Sequence, residues 1–294
     1  MKNTSHNYLD QFFAHLTTLD LSPNTVSAYR IDMADFGKRF VDTNGREMAP
    51  ADVTSIDLRD YQGYLQTVRG LKPATVNRRL NNVRNFLKWA REAGYLERMP
   101  NVPRKVQAQP TPPKALERNE QNRLLREVER RGKLRDMALV RLLLSCGLRV
   151  SEAVLLQVSD LDIGERHGKL TVRQGKGNKW REVPVPPEAR CALKDWLEER
   201  ERKYNACPWL FPNKCGSHIT ARRVEQSIKN YGYFAGLNVH PHILRHAAAT
   251  NMLRSGADLP TVAQILGHSS INTTAIYTKP DNRTMAEAVE RGEV

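Results

Sequence analysis

The chain has 294 residues, 40% of them hydrophobic, enough for two ordinary domains that each bury a core. No stretch has the apolar length a bilayer requires, the opening MKNTSHNYLD is no secretion signal, and Cys146, Cys191, Cys207 and Cys215 lack CxxC spacing, so the sequence reads as cytoplasmic, with neither zinc ribbon nor disulfide framework. Forty-six Lys and Arg against 32 Asp and Glu give +14, which makes a polyanion the expected partner, nucleic acid ahead of an anionic membrane surface.

The positive charge is unevenly placed. Residues 1–60 hold 6 basic and 9 acidic side chains, whereas 61–100 hold 8 and 2. Ser22-Pro23, a cap followed by proline at the first helical position, predicts a helix through about Val41. Ser55 or Asp57 starts another through Val68, and a third runs from about Lys72 to Gly94. In the third, Val76, Leu80, Val83, Leu87 and Ala90 alternate steps of four and three, a core stripe. Arg84, Lys88 and Arg91 follow the same rhythm on its flank, with Arg78 and Arg79 nearby and no acid in that helix before Glu92. A solvated face is the plain alternative; the lack of interleaved Glu favours a helix that faces DNA phosphates.

Four prolines in NVPRKVQAQPTPPKA make residues 101–115 extended and linker-like. The expected division is therefore a helical DNA-binding domain over 1–103, a linker over 104–115, and a second domain over 116–294. Leu134 to Cys146 is apolar nearly all round and predicts a buried helix ended by Gly147, followed by a short helix in GLRVSEAVLL. HGKLTVRQGKGNKWREVPV predicts two strands around a Gly-Lys-Gly-Asn turn, with Leu170 and Val172 on one and Val183 and Val185 on the other. Helices are expected over Pro187–Lys203, Thr220–Ala235, from Pro241 towards Gly256 and over Leu259–Gly267, with WLFP as a short buried strand or edge.

The stretch HPHILRHAAAT raises a chemical question, because His242 lies beside both Arg245 and His246 on one helix face. His242 and His246 have zinc-ligand spacing, but Ile243 stands where a metalloprotease needs Glu, and Arg245 between them repels a metal ion. An anion fits better: Arg245 can grip two phosphate oxygens and His242 can move a proton near neutral pH.

Taken in order and spacing, GLRVSE, GKGNKWREVPV, HILRH, LGHSS and NTTAIYTKP resemble the signature of the tyrosine recombinases, the phage integrase and Xer-like family. The resemblance covers the whole chain. It implies a mainly α fold with a small antiparallel hairpin or sheet, built as a two-domain C-shaped DNA clamp of helical core-binding domain and catalytic domain. It also implies cleavage and rejoining of double-stranded DNA through a 3′-phosphotyrosyl intermediate, without metal or other cofactor. Arg149 and Arg245 match the two arginines that hold the scissile phosphate. Lys176 matches the hairpin lysine that protonates the departing 5′-oxygen, with Lys179 as its rival. His242 matches the histidine that assists proton transfer, His268 the one that hydrogen-bonds the phosphate, and Tyr277 the nucleophile. His246, Glu152 and Asp160 read as structural, hydrogen-bonded side chains.

These residue types suit the reaction. A phosphodiester near its five-coordinate transition state gains charge on its equatorial oxygens, and two guanidiniums can meet that charge where no metal does. Lys279 stands where many relatives have histidine, and Pro280 ends the tyrosine-bearing helix. Residues about 281–291 predict a short helix that, by the resemblance, packs on a neighbouring protomer of a homo-tetramer on synapsed DNA. The rivals are a relaxing enzyme of the type IB topoisomerase kind and a site-specific DNA-binding protein that does not cut.

Overall fold

The computed structural model describes residues 4–19, 21–107, 115–173, 180–204 and 206–268. The chain divides into two compact units, Met1–Pro110 and Thr111–Val294. Among the described residues no helix is long and apolar enough to cross a membrane.

The first unit is helical. Its helices are α1 (Thr4–Thr18), α2 (Pro23–Asn44), α3 (Ser55–Gly63), extended by a π-helical turn over Tyr64–Val68, and α4 (Pro73–Glu92). Local chemistry sets the boundaries: the Ser22 hydroxyl accepts from the Thr25 amide at 3.2 Å, and Thr54 and Asp57 form a reciprocal cap at the start of α3. The stripe of α4 packs as its spacing predicts, with Val76, Leu80, Val83, Leu87 and Ala90 all buried beside Phe12, Phe36 and Phe86.

Two features of this unit differ from the sequence reading. The first is that acids do balance part of the basic face of α4, from a different helix. The fully buried Asp32 of α2 accepts from Arg78 (Nη2, 3.1 Å) and Asn82 (2.7 Å) and lies 3.6 Å from Arg79 Nε, while Asp35 pairs with Arg79 and with Arg69. These pairs span 34 to 50 residues of sequence, so no local pattern announces them. The second is that residues up to 106, expected as linker, are tied to this unit. Gln62 donates to the Arg104 carbonyl at 2.9 Å, and Asn77 exchanges two hydrogen bonds with the Val106 backbone.

The second unit is built around α6 (Leu134–Cys146), whose apolar surround is buried on nearly every side. α8 (Pro187–Tyr204) and α10 (Pro241–Arg254) pack against it, with α5 (Arg118–Arg131), α7 (Val150–Val154), α9 (Ala221–Phe234) and α11 (Leu259–Leu266) completing the layer. The strands β1 (Leu161–Ile163), β2 (Gly168–Val172) and β3 (Arg181–Pro184) form an antiparallel sheet in that order, Leu170 opposite Val183. Leu170, Val172, Val183 and Val185 turn inward as expected. WLFP is buried at Leu210 and Phe211 but makes only isolated bridges, Trp209 with Gln157 and Pro212 with His218.

The fold is thus mainly α with a small antiparallel sheet. α1, α5 and β1 were not anticipated. α5 reads RNEQNRLLREVERR, so charged that its inward positions Gln121, Leu124 and Val128 make a thin signal.

Candidate active site

The site in the second unit is organised by two helix ends. α6 stops at Gly147, whose left-handed conformation (φ 62°) suits glycine; a Cβ there would lie 2.5 Å from Leu266 Cδ2. The turn that follows delivers Arg149 to the position just before α7. Glu152, one turn on and buried, accepts from the Arg149 amide at 2.8 Å and from Arg149 Nη1 at 2.8 Å.

α11 is opened by Asp258, which accepts from the Thr261 amide at 3.1 Å, and ends at Gly267, again left-handed (φ 67°). The last carbonyls of a helix have no partner within it and carry the negative end of its dipole. Here three consecutive carbonyls are each met by a different arginine. Arg181 Nε donates to Ile265 at 2.8 Å, Arg245 Nη2 to Leu266 at 2.9 Å, and Arg149 Nη2 to Gly267 at 3.2 Å. Arg245 also donates through Nη1 to the Gly147 carbonyl at 2.7 Å, and so joins the ends of α6 and α11. Its guanidinium is almost wholly buried, whereas a third of the Arg149 side chain is exposed (5% against 34%), leaving Arg149 the more open of the two to an incoming anion.

His268 follows directly, its amide bonded to the Ala263 carbonyl at 3.0 Å. Burial, then the charges of Arg245, Arg149 and Arg181, push its imidazole down to about 4 against the opposing pull of Glu152. It is therefore neutral at physiological pH and suited to hydrogen bonding rather than to carrying charge. Burial alone would raise the Glu152 carboxyl, but its bonds to Arg181 and Arg149 outweigh that and lower it, so it remains anionic. His242, in the first turn of α10 and three residues before Arg245, is exposed, with the His240 ring 6.2 Å away.

Among the expected residues, the structure gathers Arg149, Arg245 and His268 at the end of α11 and places His242 one turn from Arg245. Lys176, its rival Lys179, and Tyr277 lie outside the described residues, as does the segment 281–291. Sequence reasoning missed Arg181; Glu152, read as a structural hydrogen-bonded side chain, is buried and bonded as expected. Arg181 donates to Glu152 through Nη1 (3.1 Å) and Nη2 (2.8 Å), so one carboxylate spans two arginines. The signal was present in β3, where alternation puts Arg181 on the same inward face as Val183 and Val185.

In the first unit Arg84, Lys88 and Arg91 are exposed along α4 and line a groove of about 410 Å³ with Met99, Pro100, Asn101, Val102 and Pro103. No acid lines it. Arg79 is largely buried against Asp32 and Asp35, and Arg78, half exposed, leans on Asp32.

Comparison with protein families matches residues 114–283 to the phage integrase family and residues 9–94 to the phage integrase N-terminal SAM-like domain. The chain belongs to the phage integrase family. It is accordingly a tyrosine recombinase, an enzyme of site-specific DNA strand transfer by cleavage at a tyrosine. Relatives in this family include tyrosine recombinase XerC of Chromobacterium violaceum, 34% identical over 95% of this chain and 92% of that one. Tyrosine recombinase XerD of Caulobacter vibrioides is 35% identical over 91% and 89%. Among solved structures, a lambda integrase tetramer bound to a Holliday junction shares the fold with a TM-score of 0.73, at 16% identity over 95% of this chain and 77% of that one.

Proposed function

We propose that this chain cuts and rejoins double-stranded DNA at a specific site with the set Arg149, Lys176, His242, Arg245, His268 and Tyr277. The observation that carries the assignment is the convergence of Arg149 and Arg245 on neighbouring carbonyls at the end of α11, beside a neutral His268. Two guanidiniums fixed by backbone are donors organised before any substrate arrives, as an anionic transition state requires. Arg149 and Arg245 take the non-bridging oxygens of the scissile phosphate, and His268 adds a hydrogen bond.

The Tyr277 phenol attacks phosphorus; the bond from phosphorus to the 5′-oxygen breaks, and that oxygen takes a proton from Lys176. His242 receives the phenolic proton. A phenoxide leaves more readily than an alkoxide, so the 3′-phosphotyrosyl bond keeps the energy of the broken linkage. A 5′-hydroxyl from the partner strand then attacks the same phosphorus and releases Tyr277, with no nucleotide consumed. The exposed Arg84, Lys88 and Arg91 of α4 bind the duplex backbone, with Arg78 beside them. Arg79 was expected in that set, but its two carboxylate partners make it a brace for α4 instead.

Exchange between two duplexes needs four cleavages, hence a homo-tetramer of protomers on synapsed DNA, linked through residues 281–291. The working location is the cytoplasm, at the nucleoid. A nicked suicide duplex tests the chemistry. The chain forms an SDS-stable adduct with the cut strand, and Tyr277→Phe forms none. No adduct from the unaltered chain means a DNA-binding protein that does not cut, and supercoil relaxation at catalytic dilution means a monomeric topoisomerase.

A further inference from the structure

We infer that Arg181 is a positioning residue for strand cleavage, holding Glu152 and the end of α11 so that Arg149 keeps its charge directed outward. This rests on the proposed roles of Arg149 and His268. Three observations support it. Arg181 makes a two-point pair with Glu152 in which both side chains are nearly buried (12% and 3% exposed). Its Nε donates to the Ile265 carbonyl, so one planar group ties β3 to α7 and α11. The backbone at Gly267 lies directly against it: a Cβ there would come within 2.8–3.1 Å of Nη1, Cζ and Nε.

The electrostatic consequence follows from counting charges. Glu152 is one anion among three cations: its carboxylate bonds Arg149 and Arg181, and Arg245 Nη1 lies 4.0 Å away. The two-point, least exposed pair is the one with Arg181, a geometry that pairs a guanidinium and a carboxylate most completely. With most of the Glu152 charge matched there, less of it is left to offset Arg149, which keeps its single bond to the carboxylate, and Arg245 beside it. Removing Arg181 leaves Arg149 as the one arginine bonded to Glu152, so that the carboxylate offsets its charge more fully, and frees the turn that carries His268.

The test measures single-turnover adduct formation on the suicide duplex at saturating protein, alongside the affinity for an uncut duplex. Arg181→Gln should slow adduct formation about 10-fold to 100-fold, the range for partners that orient a reacting group, with affinity changed less than about threefold. Arg181→Lys, which keeps the charge but not the fork, should recover part of the rate. Glu152→Gln combined with Arg181→Gln should be faster than Arg181→Gln alone, since no unmatched anion remains. The imidazole of His268, followed by NMR in histidine-labelled full-length chain, should titrate at higher pH in Arg181→Gln than in the unaltered chain.

A folded Arg181→Gln with the normal rate overturns the inference, and so does a double variant no faster than the single one. If Arg181→Gln does not fold, Arg181→Lys carries the decision: a slowed adduct with unchanged affinity supports the inference, and an unchanged rate overturns it. If the unaltered chain forms no adduct, the recombinase site assignment has failed. The His268 titration still decides whether Arg181 governs this end of α11, because it needs no activity.

Discussion

At the scale of single residues, His268 and the two left-handed glycines carry the sharpest consequences. With its imidazole held down to about 4 by burial and three arginines, His268 is neutral across the working range. Its NMR titration midpoint should lie near 4, and the cleavage rate should show no acid limb from it between pH 5 and 8. Because the folded value sits below that of a free histidine, about 6.5, the associated stability is present above about 6.5. It is lost as pH falls from there towards about 4. Gly147→Ala should be strongly destabilising, at about 1–2 kcal/mol for a side chain in the left-handed region and about 1–3 kcal/mol for overpacking against Leu266. Urea unfolding reads it directly. Arg149, Arg245 and His268, which meet at the end of α11, could be picked out in the sequence because each sits in a short motif of distinctive chemistry, such as HILRH or GLRVSE. Arg181 was not, because its inward place in the alternation of β3 is the sole local sign of it, and its partners Glu152 and Ile265 are 29 and 84 residues away.

At the scale of elements, helices with a clear apolar stripe were legible to within a few residues, α6 and α4 above all. α5 and β1 were not: one buries a narrow face under a heavily charged surface, and the other is three residues long and exists only through pairing with β2. Of the α4 cations expected to face DNA phosphates, Arg84, Lys88 and Arg91 are exposed, whereas Arg79 serves the packing of α4 on α2. The difference can be measured. Asp32→Ala removes the acceptor of the buried Asn82 and one of the two carboxylates beside the mostly buried Arg79, and should cost about 3–5 kcal/mol, the usual penalty for breaking a buried pair. Arg78→Gln, removing a half-exposed partner, should cost less than about 1 kcal/mol. Urea unfolding of the two variants, followed through the aromatic cluster of Phe12, Phe86 and Trp89, separates these outcomes. Equal losses would show that Arg79 does not depend on Asp32.

At the scale of the whole molecule, the proposed function divides the labour between a unit that holds DNA and a unit that reacts with it. Residues 1–110 carry 16 Lys and Arg against 11 Asp and Glu, and residues 111–294 carry 30 against 21, so the units are +5 and +9. Both therefore draw on counter-ion release when DNA binds, while the groups proposed to surround the reacting phosphorus belong to the second. Substituting Arg84, Lys88 and Arg91 together by Gln should lower the slope of log affinity against log salt by about 2.7, at about 0.9 per phosphate contact. As proposed backbone contacts they would be the same before and during cleavage, so the loss should fall on binding, and adduct formation at saturating protein should return to the normal rate. Arg149→Gln should behave the other way. A direct donor to the developing charge is lost, the rate at saturation falls about 10²-fold to 10³-fold, and the salt slope drops by about 0.9 at most. Combining the α4 triple with Arg149→Gln should add the two effects, because the substituted groups lie in separate units. A triple variant that stays slow at saturation would mean that α4 also shapes the reacting geometry, and the division of labour would have to be redrawn.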